Sequence, residues 1–143
     1  MMFRIMLVAV LAVACGGKTK TGEPAQLSLY DRLGRQDAIK KVVDDFVANV
    51  SADAAINKRF EHADVPKLKA MLVDQICAAA NGPCKYTGKN MKDAHQGMGV
   101  TSEEFDALVG DLKKALDANK VGAKEQQELL GVLAPMKADI VGQ

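Results

Sequence analysis

The sequence predicts an all-α domain. Apolar residues recur at helical spacing in several segments, helix-start signals precede them, and no segment alternates with the period of a strand. The 143 residues are 48% hydrophobic and 26% charged, which suits one compact domain with its own core. The 19 basic and 18 acidic residues nearly cancel, so no nucleic-acid surface is predicted. Composition alone indicates a four- or five-helix bundle.

Residues 1–14 have the layout of a secretory signal, with Arg4 before a short apolar run. This run is too short to span a bilayer comfortably. It ends at Ala14-Cys15-Gly16-Gly17, which resembles the bacterial motif in which the cysteine is acylated. We therefore predict lipidation at Cys15, a lipid-anchored location in the cell envelope (periplasmic or outer face), a polar tether over residues 15–26 and a folded domain over 27–143. Ala12 departs from the motif, so ordinary cleavage after Ala14, or a plain buried cysteine, stays open.

The first half of the domain contains two predicted helices. Ser28 is a plausible cap for a short helix that Gly34 ends, with Tyr30 and Leu33 facing inward. A three-turn amphipathic helix follows over residues 39–50. Its apolar stripe consists of Ile39, Val42, Val43, Phe46, Val47 and Val50.

Helix signals mark three further segments. Asp64-Val65-Pro66 starts a helix that Asn81-Gly82-Pro83 stops, and a connector over residues 54–60 precedes it. Thr101-Ser102-Glu103-Glu104 is a capping box that starts another helix. The last helix is predicted from about Lys124 to Val141, with a bend at Pro135.

Residues 83–99 form a glycine-punctuated loop followed by a short amphipathic turn that contains His95, one of only two histidines. A single histidine cannot hold a bare metal ion. It can be the sole protein ligand of an iron whose equatorial positions are filled by a porphyrin. From the residues alone, an ordinary surface or core histidine is the competing interpretation.

This stretch, together with residues 28–34, 42–46 and 130–136, resembles the group I truncated haemoglobins. The resemblance covers about residues 27–141 and implies a two-over-two helical sandwich that encloses haem b, with His95 as the iron ligand. It also implies that ten residues contact the haem: Phe60, Leu68, Leu72, Lys85, Tyr86, Met91, Lys92, Met98, Phe105 and Leu112. Of these, Lys85 or Lys92 would pair with a propionate, unless both are only solvated charges. His62 is interpreted as a surface residue.

The sequence departs from the family on the distal side of the iron. Val47 stands where many members have a tyrosine, and Leu68 and Leu72 stand at positions that are often polar. These three residues predict an apolar ligand pocket that holds oxygen weakly. A competing hypothesis is that the sulfur of Met71 binds the iron, which would give a His/Met centre suited to electron transfer.

The resemblance implies a haem-binding globin that reversibly binds oxygen or another diatomic gas such as nitric oxide and is served by an unidentified electron donor. Nitric oxide turnover of the dioxygenase type and one-electron transfer remain open, so whether the chain is an enzyme is not decided. The alternative from another class is a haem-free envelope lipoprotein with a scaffold role. Cys77 and Cys84 can either form a disulfide or stay as free thiols.

Overall fold

The computed structural model describes residues 26–143, so the predicted signal peptide, Cys15 and nearly all of the tether lie outside the described residues. The all-α prediction is confirmed: residues 26–143 form helices, and Val100 and Val141 form one isolated parallel bridge. The α-helices are α1 Leu29–Arg32, α2 Arg35–Ala52, α3 Val65–Ala79, α4 Met91–His95, α5 Ser102–Ala118, α6 Ala123–Leu133 and α7 Lys137–Ile140. Short 3-10 helices occupy Asn57–Phe60 and Ala134–Met136.

Helix α2 is the centre of the core and packs against both α3 and α5. All six residues of its predicted stripe are buried, and the fully buried Val43 is one of them. Each such side chain stabilises the fold by about 1.5 to 3 kcal/mol relative to exposure. The helix has 18 residues, about five turns, and is longer than the predicted three turns. The sequence stripe marked only the buried part, because the terminal turns of α2 face solvent.

The turn between α1 and α2 uses left-handed backbone at two successive residues. Gly34 has φ +90°, and Arg35 has φ +64°. A side chain is disfavoured at positive φ, so Arg35 occupies a strained position. Its Nε donates to Asp31 Oδ1 at 3.0 Å, which places the exposed guanidinium back over α1. Leu29 and Leu33 are buried in this region, and the half-buried Tyr30 packs against the core.

Helix α3 starts and ends where the sequence indicated. The Asp64 carboxylate accepts a hydrogen bond from the Lys67 N–H at 3.1 Å, and Pro66 lies in the first turn. After the helix, Asn81 takes φ +60°, and a disulfide joins Cys77 to Cys84 with the Cα atoms 5.7 Å apart. The structure thus settles the question that the cysteine count left open. The bond ties the end of α3 to the loop that leads to Tyr86.

The C-terminal region differs from the single bent helix predicted over residues 124–141. Helix α6 ends at Leu133, a 3-10 turn spans Ala134–Met136, and α7 runs only from Lys137 to Ile140. Pro135 has no N–H to donate and its ring clashes with the preceding turn, so the α-helical pattern is interrupted there. The short α7 contacts α4. Within residues 26–143, no helix is both long and apolar enough to cross a membrane.

Candidate functional site

His95 is the last residue of α4, a single turn whose N-cap residue is Asn90. Asn90 Oδ1 accepts from the Asp93 N–H at 2.8 Å. His95 Nδ1 lies 2.7 Å from the backbone oxygen of Met91, and a carbonyl oxygen can only accept, so Nδ1 carries the hydrogen. In the neutral ring, Nε2 then carries a lone pair, and no partner for it occurs among the described residues. A histidine held in this way is prepared to bind a metal through Nε2.

Helix α3 contacts α4 through the side chain of Gln75. Gln75 Nε2 lies 3.3 Å from the sulfur of Met91 and 3.4 Å from that of Met136. Leu68, Leu72 and Gln75 have the i, i+4, i+7 spacing of one helix face, so the predicted distal leucines lie on the face that meets α4. Val47 is 6% exposed, and Leu72 packs against the same core.

The residues predicted to contact a porphyrin differ in burial. Phe105 and Leu112 are buried, whereas Met98 is 37% exposed. The others with apolar or aromatic side chains are half-buried: Phe60, Leu68, Leu72, Tyr86 and Met91. Partial exposure of several large apolar side chains on facing elements is typical of a ligand site. Met71 is also half-buried on α3.

Tyr86 and its neighbours fix the loop between the disulfide and α4. The Tyr86 hydroxyl donates to the backbone oxygen of Lys89 at 2.8 Å. The ring lies directly over Gly88, where a Cβ would overlap it.

Lys85 and Lys92 are exposed, and neither forms an ion pair with any described residue. His62 is exposed, as expected for a surface residue.

The donor set fits a ligand that brings its own equatorial donors to the metal. In residues 26–143, no cluster of three or more His, Cys, Asp and Glu residues could hold a bare ion. His95 therefore offers one nitrogen beside half-buried apolar side chains, which suits an iron porphyrin. Two surface clefts, of about 320 Å³ beside Val43 and Val73 and about 520 Å³ beside Tyr30 and Pro83, contain none of the predicted site residues.

Two residues of this region were not identified from the sequence. Gln75 is a polar residue on an otherwise apolar stripe, and that break in the pattern could have drawn attention to it. Arg59, which precedes Phe60, donates to the backbone oxygen of Met98 at 2.6 Å. No sequence pattern indicates this contact, since the two residues are 39 positions apart.

Comparison with known proteins identifies the family. Residues 28–141 match the family model described as Bacterial-like globin. The group 1 truncated haemoglobin GlbN of Mycolicibacterium paratuberculosis is 38% identical over 121 residues, which cover 85% of this chain and 88% of that protein. The chain belongs to the bacterial-like globin family as a truncated haemoglobin. This globin thus carries His95 and the facing leucines in the fold that the sequence resemblance implied.

Solved structures confirm the two-over-two sandwich. The Fe(III) form of truncated haemoglobin from Tetrahymena pyriformis superposes on the globin with a TM-score of 0.79 at 29% identity, covering 82% of this chain and all of that one. The 2/2 haemoglobin of Synechococcus sp. PCC 7002, solved in the cyanomet state with covalently attached haem, gives 0.77 at 28% identity, with the same shares covered. In this globin, α2, α3, α5 and α6 are the four long helices of the sandwich.

Proposed function

We propose that the globin holds one haem b through His95 and reversibly binds oxygen or another diatomic gas, such as nitric oxide. The observation that carries the proposal is the 2.7 Å contact between His95 Nδ1 and the Met91 oxygen, which leaves Nε2 as the free nitrogen. The relatives support it, because one structure was solved with attached haem and another in an Fe(III) form.

Haem supplies the iron to which the gas binds, and the residues of the chain control access to it. The Met91 carbonyl orients His95, while Val47, Leu68 and Leu72 exclude water from the distal side. Lys85 or Lys92, both exposed, would pair with a propionate. An electron-donor protein is the further partner that we propose, since a globin that turns over nitric oxide needs electrons.

Haem uptake decides between this function and the alternative of a haem-free envelope scaffold. The experiment is purification of the protein with haem supplied during expression, followed by an absorption spectrum. We expect a Soret band at about one haem per chain. A chain that stays colourless under these conditions would contradict the haem proposal and leave the scaffold role.

We also propose that the protein is anchored in the cell envelope by a lipid on Cys15. The Cys77–Cys84 disulfide supports an oxidising compartment, because such bonds persist outside the cytosol. Anchoring would come from acyl chains and not from a transmembrane helix. Mass spectrometry of the membrane fraction should find an acylated Cys15, and Cys15→Ser should release the globin. An unmodified soluble chain would refute the anchor.

A further inference from the structure

Arg59 connects two elements that each carry a residue of the proposed haem site, Phe60 and Met98. It lies in the 3-10 helix Asn57–Phe60, next to the half-buried Phe60. Its Nη1 donates to the Met98 oxygen at 2.6 Å, and its Nη2 lies 3.4 Å from the Gly99 oxygen. Both acceptors belong to the turn that follows His95.

Glu104 holds the Arg59 guanidinium in this orientation. Arg59 Nε and Nη2 donate to the two carboxylate oxygens at 2.8 and 2.9 Å, a bidentate pair. The hydrogen bonds from Arg59, and then from the Thr101 N–H, lower the pKa of Glu104, and Glu104 raises the pKa of Arg59. Glu104 is itself fixed by the capping box of α5, in which Thr101 N–H donates to Oε2 at 2.9 Å.

The turn after His95 is held by the Arg59 hydrogen bonds and by the C-terminal residues, since the Gly99 N–H donates to the Gln143 oxygen at 2.7 Å. Gly97 and Gly99 take φ +78° and +56°, and no atom lies within 4 Å of a Cβ built at either. Helix α4 is a single turn, too short to be stable in isolation. The Met98 N–H donates to the His95 oxygen at 3.0 Å, so Arg59 is linked to His95 through one residue.

We infer that Arg59 is a positioning residue for His95. Together with Glu104, Arg59 holds the turn after α4 at a fixed distance from the 3-10 helix that carries Phe60. This inference rests on the proposed haem function. The competing role is a direct ion pair between Arg59 and a haem propionate, since the Arg59 side chain is 35% exposed. The two roles differ in what they require of Glu104.

The experiment compares Arg59→Ala, Arg59→Lys and Glu104→Gln with the unmutated holoprotein. The rate of ferric haem transfer to excess apomyoglobin and the iron–histidine stretching band of the ferrous form are measured for each. We expect Arg59→Ala and Glu104→Gln both to speed haem transfer, by about three- to tenfold, and to shift the band. Arg59→Lys should be intermediate, because an ammonium cannot form the bidentate pair.

Arg32→Ala is the matched control. Arg32 also binds two carboxylates, those of Glu125 and Glu128, but it joins α1 to α6 and does not contact the turn after His95. We expect no change in haem transfer or in the stretching band for this variant. Equal acceleration by Arg32→Ala would overturn the inference, because any loss of an ion pair would then be sufficient.

Two other results would overturn the inference. If Arg59→Ala speeds haem transfer while Glu104→Gln changes nothing, Arg59 acts on haem directly. If neither variant has an effect in a protein whose Soret band requires His95, only the positioning role fails. A missing Soret band in the unmutated protein would instead refute the haem function, and the positioning role with it. Faster amide exchange at Met98 and Gly99 in both Arg59→Ala and Glu104→Gln would support the positioning role of Arg59.

Discussion

His95 Nδ1 lies 2.7 Å from the backbone oxygen of Met91, one helical turn earlier. The bond fixes the tautomer and the ring orientation together, so Nε2 is the nitrogen left free to bind a metal.

The first prediction is that His95→Ala abolishes stable haem binding. It removes the ring nitrogen that we propose as the iron ligand, and stability should fall as well, because a ligand that binds only the folded state stabilises it. The measurement is the Soret absorbance per chain together with the melting temperature. His62→Ala is the control and should change neither, since His62 is exposed. An unaltered ferrous spectrum in His95→Ala would show that the assignment is wrong.

The second prediction concerns the ligand pocket. Val47, Leu68 and Leu72 offer no hydrogen-bond donor, and the Gln75 amide on the same face of α3 is directed at the sulfurs of Met91 and Met136, so oxygen should dissociate quickly. A donor to a charged group contributes about 1.5 to 3 kcal/mol, which corresponds to about ten- to a hundredfold in dissociation. We therefore expect Val47→Tyr to slow oxygen release in stopped-flow measurements. Leu72→Gln is a milder version, because Leu72 is half-buried whereas Val47 lies in the core.

Carbon monoxide is the control for the pocket, because it is less polarised than oxygen and its release should change far less. Met71→Leu tests the alternative that Met71 occupies the sixth position on the iron. A ferrous spectrum that becomes five-coordinate only in Met71→Leu would support that alternative. Slow oxygen release from the unmutated protein would contradict the apolar-pocket hypothesis.

The third prediction concerns the disulfide. Cys77 and Cys84 are seven positions apart, and closing so short a loop stabilises the fold by about 2 to 3 kcal/mol in the chain-entropy description. The double variant Cys77→Ala with Cys84→Ala should lose about that much in urea unfolding. Unmutated protein treated with a reductant is the control and should lose a similar amount. No difference between the oxidised and reduced proteins would mean that the bond constrains nothing.

The fourth prediction is a loss of stability in acid. Hydrogen bonds from Arg32 are the main reason why the pKa of Glu125 lies below its ordinary value of 4.5. The folded state therefore binds fewer protons than the unfolded chain near and below that pH. The contribution of the Arg32–Glu125 pair to stability is complete above pH 4.5, and it is lost as the pH falls through the lowered pKa of Glu125. The melting temperature should drop from pH 6 to pH 3, and less steeply in Glu125→Gln.

High salt provides the control for the acid effect. Salt at about 1 M screens charges that lie more than a few ångströms apart. The fall in melting temperature between pH 6 and pH 3 should therefore become more similar in Glu125→Gln and in the unmutated protein. Identical slopes of melting temperature against pH in the two proteins would contradict a role for the Arg32–Glu125 pair.

Local patterns in the sequence were sufficient to predict most of the helices. The stripe from Ile39 to Val50 and the capping box at Thr101 and Glu104 depend on neighbours along the chain, and both predictions are confirmed. The break at Pro135 was underestimated as a bend. The sequence does not show how completely the helix stops, because that depends on whether neighbouring elements satisfy the freed backbone groups.

The site could be predicted only in part. His95 and the distal leucines came from resemblance to a family, and the facing of α3 and α4 is consistent with their roles. Contacts between residues far apart in the sequence could not be predicted. Arg59 and Glu104 are 45 positions apart, and Gln75 and Met136 are 61 positions apart. Such pairs form only after the helices have packed, and no local pattern encodes them.

The Cys77–Cys84 bond also makes the mass of the protein informative. Oxidation removes two hydrogen atoms, so chains that matured in an oxidising compartment weigh about two daltons less than chains kept reduced. An intact-mass spectrum of protein recovered from its native cells therefore distinguishes oxidised from reduced molecules. Recombinant material made in a reducing cytosol should carry the heavier mass and should be reoxidised before its gas-binding rates are compared with those of the native protein.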